Sequence, residues 1–177
     1  MALAVSMWFD AALELELLRL WQELADAGVS SRQYDGRYRP HVTLGIWDTD
    51  RLDAVEMECH ALVEDRTPFR IDFPSVGLFP GDKGVVFLHP FVSDGLMALH
   101  RDTHERMRAL GPPAVPYYDK DRWVPHCTMA IDVPREQGFV VADRLLDFRP
   151  PLGGDVVALG IIDTPAEIER ARISIPR

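Results

Sequence analysis

Cysteine is scarce in this sequence, and its two copies lie far apart. Only Cys59 and Cys127 occur among 177 residues, so a disulfide framework and a Cys-x-x-Cys metal motif are both excluded. Cys59 falls in a predicted helix and Cys127 in a predicted strand. This usage is typical of a protein in a reducing compartment.

Basic residues are also in deficit. Lysine and arginine together number 19, against 28 aspartate and glutamate residues, which gives a formal net charge of −9. Because an acidic chain is repelled by a nucleic-acid backbone, this charge argues against an extended nucleic-acid surface. A small nucleotide or a single RNA end remains compatible with it.

Long apolar runs, linkers and low-complexity tracts are missing as well. The first ten residues, Met1 to Asp10, contain no basic residue, and their apolar run is too short to span a bilayer. We therefore expect neither a signal peptide nor a membrane anchor, and a cytoplasmic location. Since 47% of the chain is hydrophobic and no linker divides it, we expect one domain over residues 1–177.

One seven-residue motif is present in each half of the chain. The copies are Tyr38–Leu44 (YRPHVTL) and Trp123–Met129 (WVPHCTM). Both read aromatic-x-Pro-His-x-Thr-apolar, and their histidines, His41 and His126, lie 85 residues apart. A repeat of this kind indicates an internal duplication.

Each copy has the composition of a β-strand that begins after its proline. Alternate side chains of a strand point to opposite faces. The polar face is therefore expected to carry His41, Thr43 and Gly45 in the first copy and His126, Thr128 and Ala130 in the second. The apolar face is expected to carry Val42, Leu44 and Ile46, and Cys127, Met129 and Ile131. Two such polar faces, brought together, would form a cleft.

The paired motifs resemble those of the two-histidine (2H) phosphoesterase superfamily, which includes the 2′-5′ RNA ligase-like proteins and the cyclic phosphodiesterases. In addition, Val76–Pro80 followed by Val85–Leu88 is similar to the family's central hairpin, so the resemblance covers most of the chain. It implies a bilobal, pseudo-symmetric α+β fold. In such a fold two antiparallel β-sheets face a central cleft, helices cover the outer faces, and each lobe supplies one histidine motif.

Hydrophobic periodicity and turn residues predict the elements around the motifs. Helices are expected from Asp10 to about Ala27, after Asp48–Asp50, from about Ser93 to Gly111, and from Pro134 to about Leu146. Strands are expected at 2–9, 69–73, 85–88, 156–162 and 170–175, and a loop at 30–37. Strands and helices alternate in places, which leaves a parallel α/β sheet as an alternative. Two predicted hairpins favour antiparallel pairing.

The two motif histidines have the properties of an acid–base pair. An imidazole with a pKa of about 6.5 serves as a neutral base or a protonated acid near neutral pH. On opposite sides of a phosphodiester, one takes a proton from water or a sugar hydroxyl and the other protonates the leaving oxygen. Thr43 and Thr128 are placed to donate hydrogen bonds to the developing phosphoryl charge. The motifs are too similar to distinguish the base from the acid.

Three residues near the motifs are candidates for substrate binding. If the first motif strand extends back through Pro40, Arg39 shares the face of His41 and its guanidinium grips a phosphate. The alternative is a surface arginine at a strand end. Tyr118 and Trp123 offer a stacking surface for a base, or else pack beneath the loop ahead of the second motif.

Two other patterns suggest rival chemistries. His100 and His104 lie four residues apart on a predicted helix, the spacing of two metal ligands. No third ligand is evident, so a solvated helix face is the default interpretation. Cys127 adjoins His126 as in a Cys/His nucleophile pair, but neighbours in a strand point to opposite faces, and Cys127 is interpreted as a core residue.

The motifs and the resemblance together imply a metal-independent phosphoesterase that needs no cofactor. The resemblance implies the substrate class, which is 2′,3′-cyclic or 2′-5′ phosphodiesters of RNA ends or small nucleotides, with ligation as the reverse reaction at the same site. A rival hypothesis is a non-catalytic module that binds a nucleotide or RNA end in this cleft. A metal hydrolase centred on His100 and His104 is the third. We also expect a monomer.

Overall fold

The computed structural model describes residues 1–29, 32–36, 38–146 and 152–177, which form eight β-strands and five α-helices. The strands are β1 Ala2–Phe9, β2 His41–Asp48, β3 Phe69–Phe73, β4 Ser75–Phe79, β5 Lys83–His89, β6 Cys127–Pro134, β7 Leu152–Asp163 and β8 Ile168–Ser174. The helices are α1 Ala11–Asp26, α2 Arg32–Asp35, α3 Leu52–Val63, α4 Asp94–Arg106 and α5 Gly138–Leu146.

The strands form two antiparallel sheets. The larger has the order β2-β1-β7-β3, with β8 also paired to β7, and the smaller has the order β4-β5-β6. The predicted α+β class with two antiparallel sheets is confirmed. The parallel alternative is wrong, because the hairpins β4–β5 and β7–β8 and the long-range pair β1–β7 are all antiparallel.

The duplication is visible in the order of the elements. β1, α1, β2 and α3 correspond to β5, α4, β6 and α5, and the motif strands β2 and β6 occupy the same place in the two halves. The first helix of each half also begins alike. Asp10 accepts a hydrogen bond from the backbone N–H of Leu13, and Ser93 accepts one from that of Leu96. Each cap satisfies an N–H that the helix itself leaves unpaired.

The buried stripes of α1 and α4 each contain one unexpected residue. In α1, Trp21 completes the stripe, whereas Leu20 is only partly buried. In α4, His100 is fully buried, so the solvated helix face predicted for His100 and His104 is wrong. The imidazole of His100 is covered by the indole of Trp123, on which it stacks.

Element boundaries differ from the prediction at three places. The 30–37 segment contains the short helix α2, while Ser30, Ser31 and Arg37 lie outside the described residues. The residue before α3 is Arg51, whose side chain makes no capping hydrogen bond. The helix predicted from Pro134 begins at Gly138, because β6 continues to Pro134 and a 3₁₀ turn follows.

Strict alternation ends after the threonine in both motif strands. In β2, Leu44 follows Thr43 as an extra residue relative to β1, so the register shifts by one at that point. In β6, Met129 follows Thr128 as an extra residue relative to β5. The two β-bulges lie at the same motif position, and a bulge reverses the direction of every later side chain.

Because of the bulges, four residues of the motif strands point to the face opposite to the predicted one. Ile46 and Ile131, expected on the apolar face, line the cleft beside the motif threonines. Ala130, expected on the polar face, lies in the core. Gly45 also turns towards the core, where a Cβ would overlap the ring of Trp47. Glycine is therefore the residue that this close approach allows.

One hydrophobic cluster joins the two sheets. It contains Leu3, Val5 and Met7 of β1 together with Val86 and Leu88 of β5. A shared core fixes the two motif strands relative to each other, since close-packed interiors deform little. Among the helices in the described ranges, none is both long and apolar enough to cross a membrane.

Candidate active site

A cleft of about 190 Å³ brings the two motifs together. His41 and Thr43 of β2 line it with Thr128 of β6 and Tyr118, which precedes the second motif. The other residues around it are Ala4, Trp21, Gln33, Tyr38, Ile46, Ile131, Ile162 and Thr164. The cleft therefore has a polar end that carries His41, Thr43 and Thr128, and a wall of apolar side chains. His126, the fourth predicted motif residue, is not among the residues that line it.

The two histidines are held in the same way. Nδ1 of His41 lies 2.7 Å from the carbonyl oxygen of Arg39, and Nδ1 of His126 lies 2.7 Å from that of Val124. A carbonyl only accepts, so Nδ1 carries the proton and donates in the neutral ring. In both motifs this leaves Nε2 with a free lone pair for chemistry.

The environment favours the neutral form of both rings. Burial lowers the pKa of His41, the carbonyl of Arg39 offsets part of the shift, and the nearby His126 lowers the pKa further. Burial likewise lowers the pKa of His126, with the carbonyl of Val124 opposing it and His89 adding to it.

Aromatic side chains surround His126. Its ring centroid lies 5.0 Å from that of Phe79 in an edge arrangement, 5.3 Å from Phe87 and 6.1 Å from Tyr118. These rings limit the rotation of the imidazole, which is partly exposed. Among the described residues, His41 has one aromatic neighbour of this kind, Tyr38, at 6.0 Å.

Thr43 and Tyr118 are linked through their hydroxyl groups. The hydroxyl of Thr43, which is buried, lies 3.2 Å from that of Ser6. Burial raises the pKa of Tyr118, and a hydrogen bond with Thr43 offsets part of this shift. Thr128 is partly exposed within the cleft. Tyr118 is thus a cleft residue, as expected for a substrate-binding role.

Arg39 does not line the cleft, although it was expected to share the face of His41. β2 begins at His41, so the alternation of a strand does not extend back through Pro40. The guanidinium of Arg39 instead pairs with Glu14 at 3.1 Å and Glu169 at 3.4 Å. What Arg39 contributes to the site is its backbone carbonyl, which holds His41.

Trp123 packs against His100 and the first motif strand. Its indole stacks on the ring of His100 with centroids 3.9 Å apart and planes 3° apart, and its Nε1 donates to the carbonyl of Thr43 at 3.0 Å. One face of the indole is therefore covered by protein. This arrangement matches the packing alternative considered for Trp123.

His100 and His104 bind backbone carbonyls. Nε2 of His100 lies 3.2 Å from the carbonyl oxygen of Tyr118, and Nε2 of His104 lies 3.1 Å from that of Leu44. Burial, together with a smaller effect of the neighbouring His104, lowers the pKa of His100 to about 4. No group of three or more potential metal ligands exists among the residues that the structure describes.

Cys127 lies in the core beneath the second motif. It is 1% exposed, and burial raises the pKa of its thiol to about 12, although a hydrogen bond from the backbone amide of His41 opposes the shift. A thiol with this pKa stays protonated and unreactive at neutral pH. The interpretation of Cys127 as a core residue is confirmed.

Sequence reasoning missed three residues of the cleft. Tyr38 is the motif's own aromatic residue, so its position relative to His41 was a usable signal. Trp21 lies four residues after Leu17 in the buried stripe of α1, where an indole can reach beyond the helix. Gln33 is 9% exposed, and its side-chain oxygen has no hydrogen-bond partner among the described residues. Nothing in the polar segment around Gln33 marked it.

Comparisons with known proteins agree with this arrangement. Residues 19–166 match the family model described as the 2′-5′ RNA ligase superfamily. No curated protein sequence matches the chain. The structure of TT0787 from Thermus thermophilus is similar over 99% of this chain and 98% of its own, with a TM-score of 0.67 and 20% identity.

Two further solved structures have the same fold. Escherichia coli LigT complexed with 3′-AMP is 16% identical with a TM-score of 0.60, over 99% of this chain and 98% of LigT. Kluyveromyces marxianus Usb1 is 10% identical with a TM-score of 0.53, over the same shares of the two chains. LigT has also been solved with ATP. At these identities the likeness shows the fold alone.

Proposed function

Because the chain belongs to the 2′-5′ RNA ligase superfamily, we propose that its cleft is the active site of a metal-independent phosphoesterase. The substrates are 2′,3′-cyclic or 2′-5′ phosphodiesters of small nucleotides or RNA ends. The observation that carries the proposal is the matched pair of histidines. Each has Nδ1 bound to the carbonyl two residues earlier, and His41 lies in one cleft with both motif threonines.

The two imidazoles divide the proton transfers between them. In hydrolysis of a 2′,3′-cyclic phosphate, the neutral ring removes a proton from water through Nε2 as the water oxygen bonds to phosphorus. The bond from phosphorus to one ribose oxygen breaks, and the protonated ring gives its proton to that oxygen. The products are a phosphomonoester and a free hydroxyl. Ligation is the reverse course, with a ribose hydroxyl as the nucleophile.

Hydroxyl donors serve the phosphoryl oxygens. Thr43 and Thr128 come from opposite halves of the chain and line the same space, so they approach a central phosphate from two sides. The hydrogen bond of Thr43 to Ser6 restricts the direction of its hydroxyl before substrate binds. Donors that are already oriented stabilise developing charge without reorganisation in the transition state.

The remainder of the cleft suits a nucleoside. Ala4, Ile46 and Ile162 provide an apolar wall, and beside it Gln33 provides an acceptor that has no partner among the described residues. A buried acceptor without a partner is unfavourable, so a ligand N–H or O–H that reaches Gln33 gains affinity. The complexes of LigT with 3′-AMP and ATP support small nucleotides as ligands of this fold.

A panel of phosphodiesters tests the proposal. The substrates are 2′,3′-cyclic AMP, 2′-5′-linked ApA and, as a control, 3′-5′-linked ApA, each with and without EDTA. We expect turnover of at least one of the first two, unchanged by EDTA, and a loss of several orders of magnitude in His41→Ala and His126→Ala. His60→Ala, which changes an exposed histidine of α3, is the matched control.

The panel also separates the rival functions. Nucleotide binding without turnover of any substrate would replace the proposal with the binding module. Turnover that EDTA abolishes would point to a metal hydrolase. Turnover that persists in both histidine variants would show that the cleft is not the active site.

A further inference from the structure

The two β-bulges leave backbone carbonyls that side chains from elsewhere must satisfy. A bulged residue interrupts the ladder of hydrogen bonds between strands, and a buried carbonyl without a donor is destabilising. The carbonyl of Thr43, next to the first bulge, accepts a hydrogen bond from Nε1 of Trp123 at 3.0 Å. The carbonyl of Thr128, next to the second bulge, accepts one from Nε1 of Trp21 at 2.9 Å.

The two hydrogen bonds cross between the halves of the chain. Trp21 belongs to α1 of the first half and binds the motif of the second half, 107 residues away. Trp123 is the first residue of the second motif and binds the motif of the first half, 80 residues away. The position of each threonine is therefore tied to a tryptophan that the other half carries.

A third ring nitrogen extends the pattern. Nε2 of His104, on α4 of the second half, lies 3.1 Å from the carbonyl of Leu44, the bulged residue of the first half. Trp21 and His104 occupy equivalent positions, since each lies 11 residues after the N-cap of its helix, which is Asp10 in α1 and Ser93 in α4. The duplication has thus preserved a helix-to-bulge contact while the side chain differs between its two copies.

We propose that Trp21 and Trp123 are positioning residues, which hold the two bulges and thereby set the direction of the His-x-Thr side chains across the cleft. An indole N–H is a donor only and its ring is rigid, so it fixes a carbonyl more strictly than a flexible side chain does. His104 acts in the same way on the first bulge. The effect on turnover rests on the proposed phosphoesterase function, whereas the effect on geometry does not.

Substitution by phenylalanine tests the proposal, because it removes the N–H and keeps a six-membered ring. In Trp21→Phe and Trp123→Phe we expect kcat to fall between about 10- and 100-fold, since a small misplacement of catalytic groups costs this much. KM should change less than threefold, because neither indole N–H faces the substrate. A rise in KM with kcat unchanged would overturn the positioning role.

The crossed contacts give a readout that does not depend on activity. In ¹⁵N–¹H spectra of the imidazole rings, Trp123→Phe should shift the signals of His41, although residue 123 lies only three positions from His126. Trp21→Phe should shift the signals of His126. Shifts confined to the histidine of the same half would show that the indoles act through local packing, and would overturn the proposal.

Trp8→Phe is the matched control for Trp21→Phe. Trp8 is a buried tryptophan of the first half, and its Nε1 has no acceptor among the described residues, so the change removes the same atoms without removing a hydrogen bond. The signals of His126 should be unchanged in this variant. If Trp8→Phe shifts them as much as Trp21→Phe does, loss of indole volume explains the effect and the proposal fails.

His104 supplies a rescue experiment in case a tryptophan variant does not fold. His104→Leu removes the donor to Leu44, and His104→Gln replaces it with an amide N–H. We expect the leucine variant to shift the signals of His41 and the glutamine variant to restore them in large part. Equal shifts in both variants would contradict the inference. If the parent protein turns over no phosphodiester, the proposed function fails while these spectra still test the positioning role.

Discussion

His41 and His126 are oriented by the same local hydrogen bond. In each, Nδ1 lies 2.7 Å from the carbonyl oxygen of the residue two positions earlier, with a proline between them. The proline restricts its own φ and the conformation of the residue before it, so the carbonyl that orients the ring is fixed by local sequence. The Pro-His pair therefore orients each ring, and each ring keeps Nε2 for the proposed proton transfer.

The first prediction concerns the dependence of turnover on pH. The active form has one imidazole protonated and one neutral, and burial lowers the pKa of both below the ordinary value of 6.5. The profile of kcat/KM should therefore be bell-shaped with its maximum below pH 6.5, and its two limbs belong to the pair rather than to single residues. A maximum at alkaline pH would contradict the assignment of both proton transfers to these histidines.

The two motif threonines should differ in their sensitivity to substitution. Thr43→Val and Thr128→Val each remove one donor to the phosphoryl oxygens, which lowers kcat by up to about 10² to 10³-fold for an oxyanion-type contact. Thr43→Val should have the larger effect, because it also removes the hydrogen bond to Ser6. Ser6→Ala is the control for that second loss. Steady-state kinetics measure which of the two variants loses more of its kcat. A larger loss of kcat in Thr128→Val would contradict the prediction.

Gln33 should affect substrate binding more than chemistry. Its side-chain oxygen is buried in the cleft and unpaired among the described residues, so Gln33→Leu removes an acceptor for the nucleoside. We expect KM to rise about 10-fold, as for one lost hydrogen bond, with kcat nearly unchanged. Gln22→Leu, on the exposed side of α1, should have no effect. An unchanged KM in Gln33→Leu would remove this residue from the binding site.

His100 should make the stability of the fold depend on pH. Its pKa is about 4 in the folded protein, below the ordinary 6.5, so the unfolded chain binds the proton first as the pH falls. Its contribution to the free energy of unfolding is complete above about pH 6.5 and is lost as the pH falls towards 4. The loss amounts to about 3 kcal/mol at 1.36 kcal/mol per pKa unit.

Urea unfolding between pH 7 and pH 4 measures this dependence. His100→Gln keeps an N–H donor for the carbonyl of Tyr118 but does not titrate, so its stability should fall less steeply with acidification. The control is His60→Gln, which changes an exposed histidine and should fall as the parent does. Equal pH dependence in the parent and in His100→Gln would show that His100 is not the titrating group.

The motif residues and the duplication could be predicted from sequence because they are local. Proline, histidine and threonine at fixed spacing define the start of a strand and its first two cleft-facing side chains, and His41, Thr43 and Thr128 lie in one cleft as the pattern indicates. The sites of the bulges could not be predicted. They depend on how β2 and β6 align with β1 and β5, and register is a property of the paired strands.

The sequence pattern also misplaced two polar residues, His100 and Arg39. His100 was treated as polar, yet stacking on Trp123 and one hydrogen bond suffice to bury it. Arg39 was placed in the cleft by extending a strand through Pro40, where the strand has not begun. In both cases tertiary partners distant in sequence determine the position, and a single-sequence pattern contains no information on them.

The most direct test of the two-histidine mechanism is kcat/KM on 2′,3′-cyclic AMP for the parent, His41→Ala, His126→Ala and the double variant, each with its fold checked by circular dichroism. If the two imidazoles serve one transition state, each single change should lower kcat/KM by orders of magnitude. The double variant should then lie close to the lower of the two singles, because groups that act as a unit are not additive. A double variant whose loss equals the product of the single losses, or a single variant within a few fold of the parent, would contradict the account.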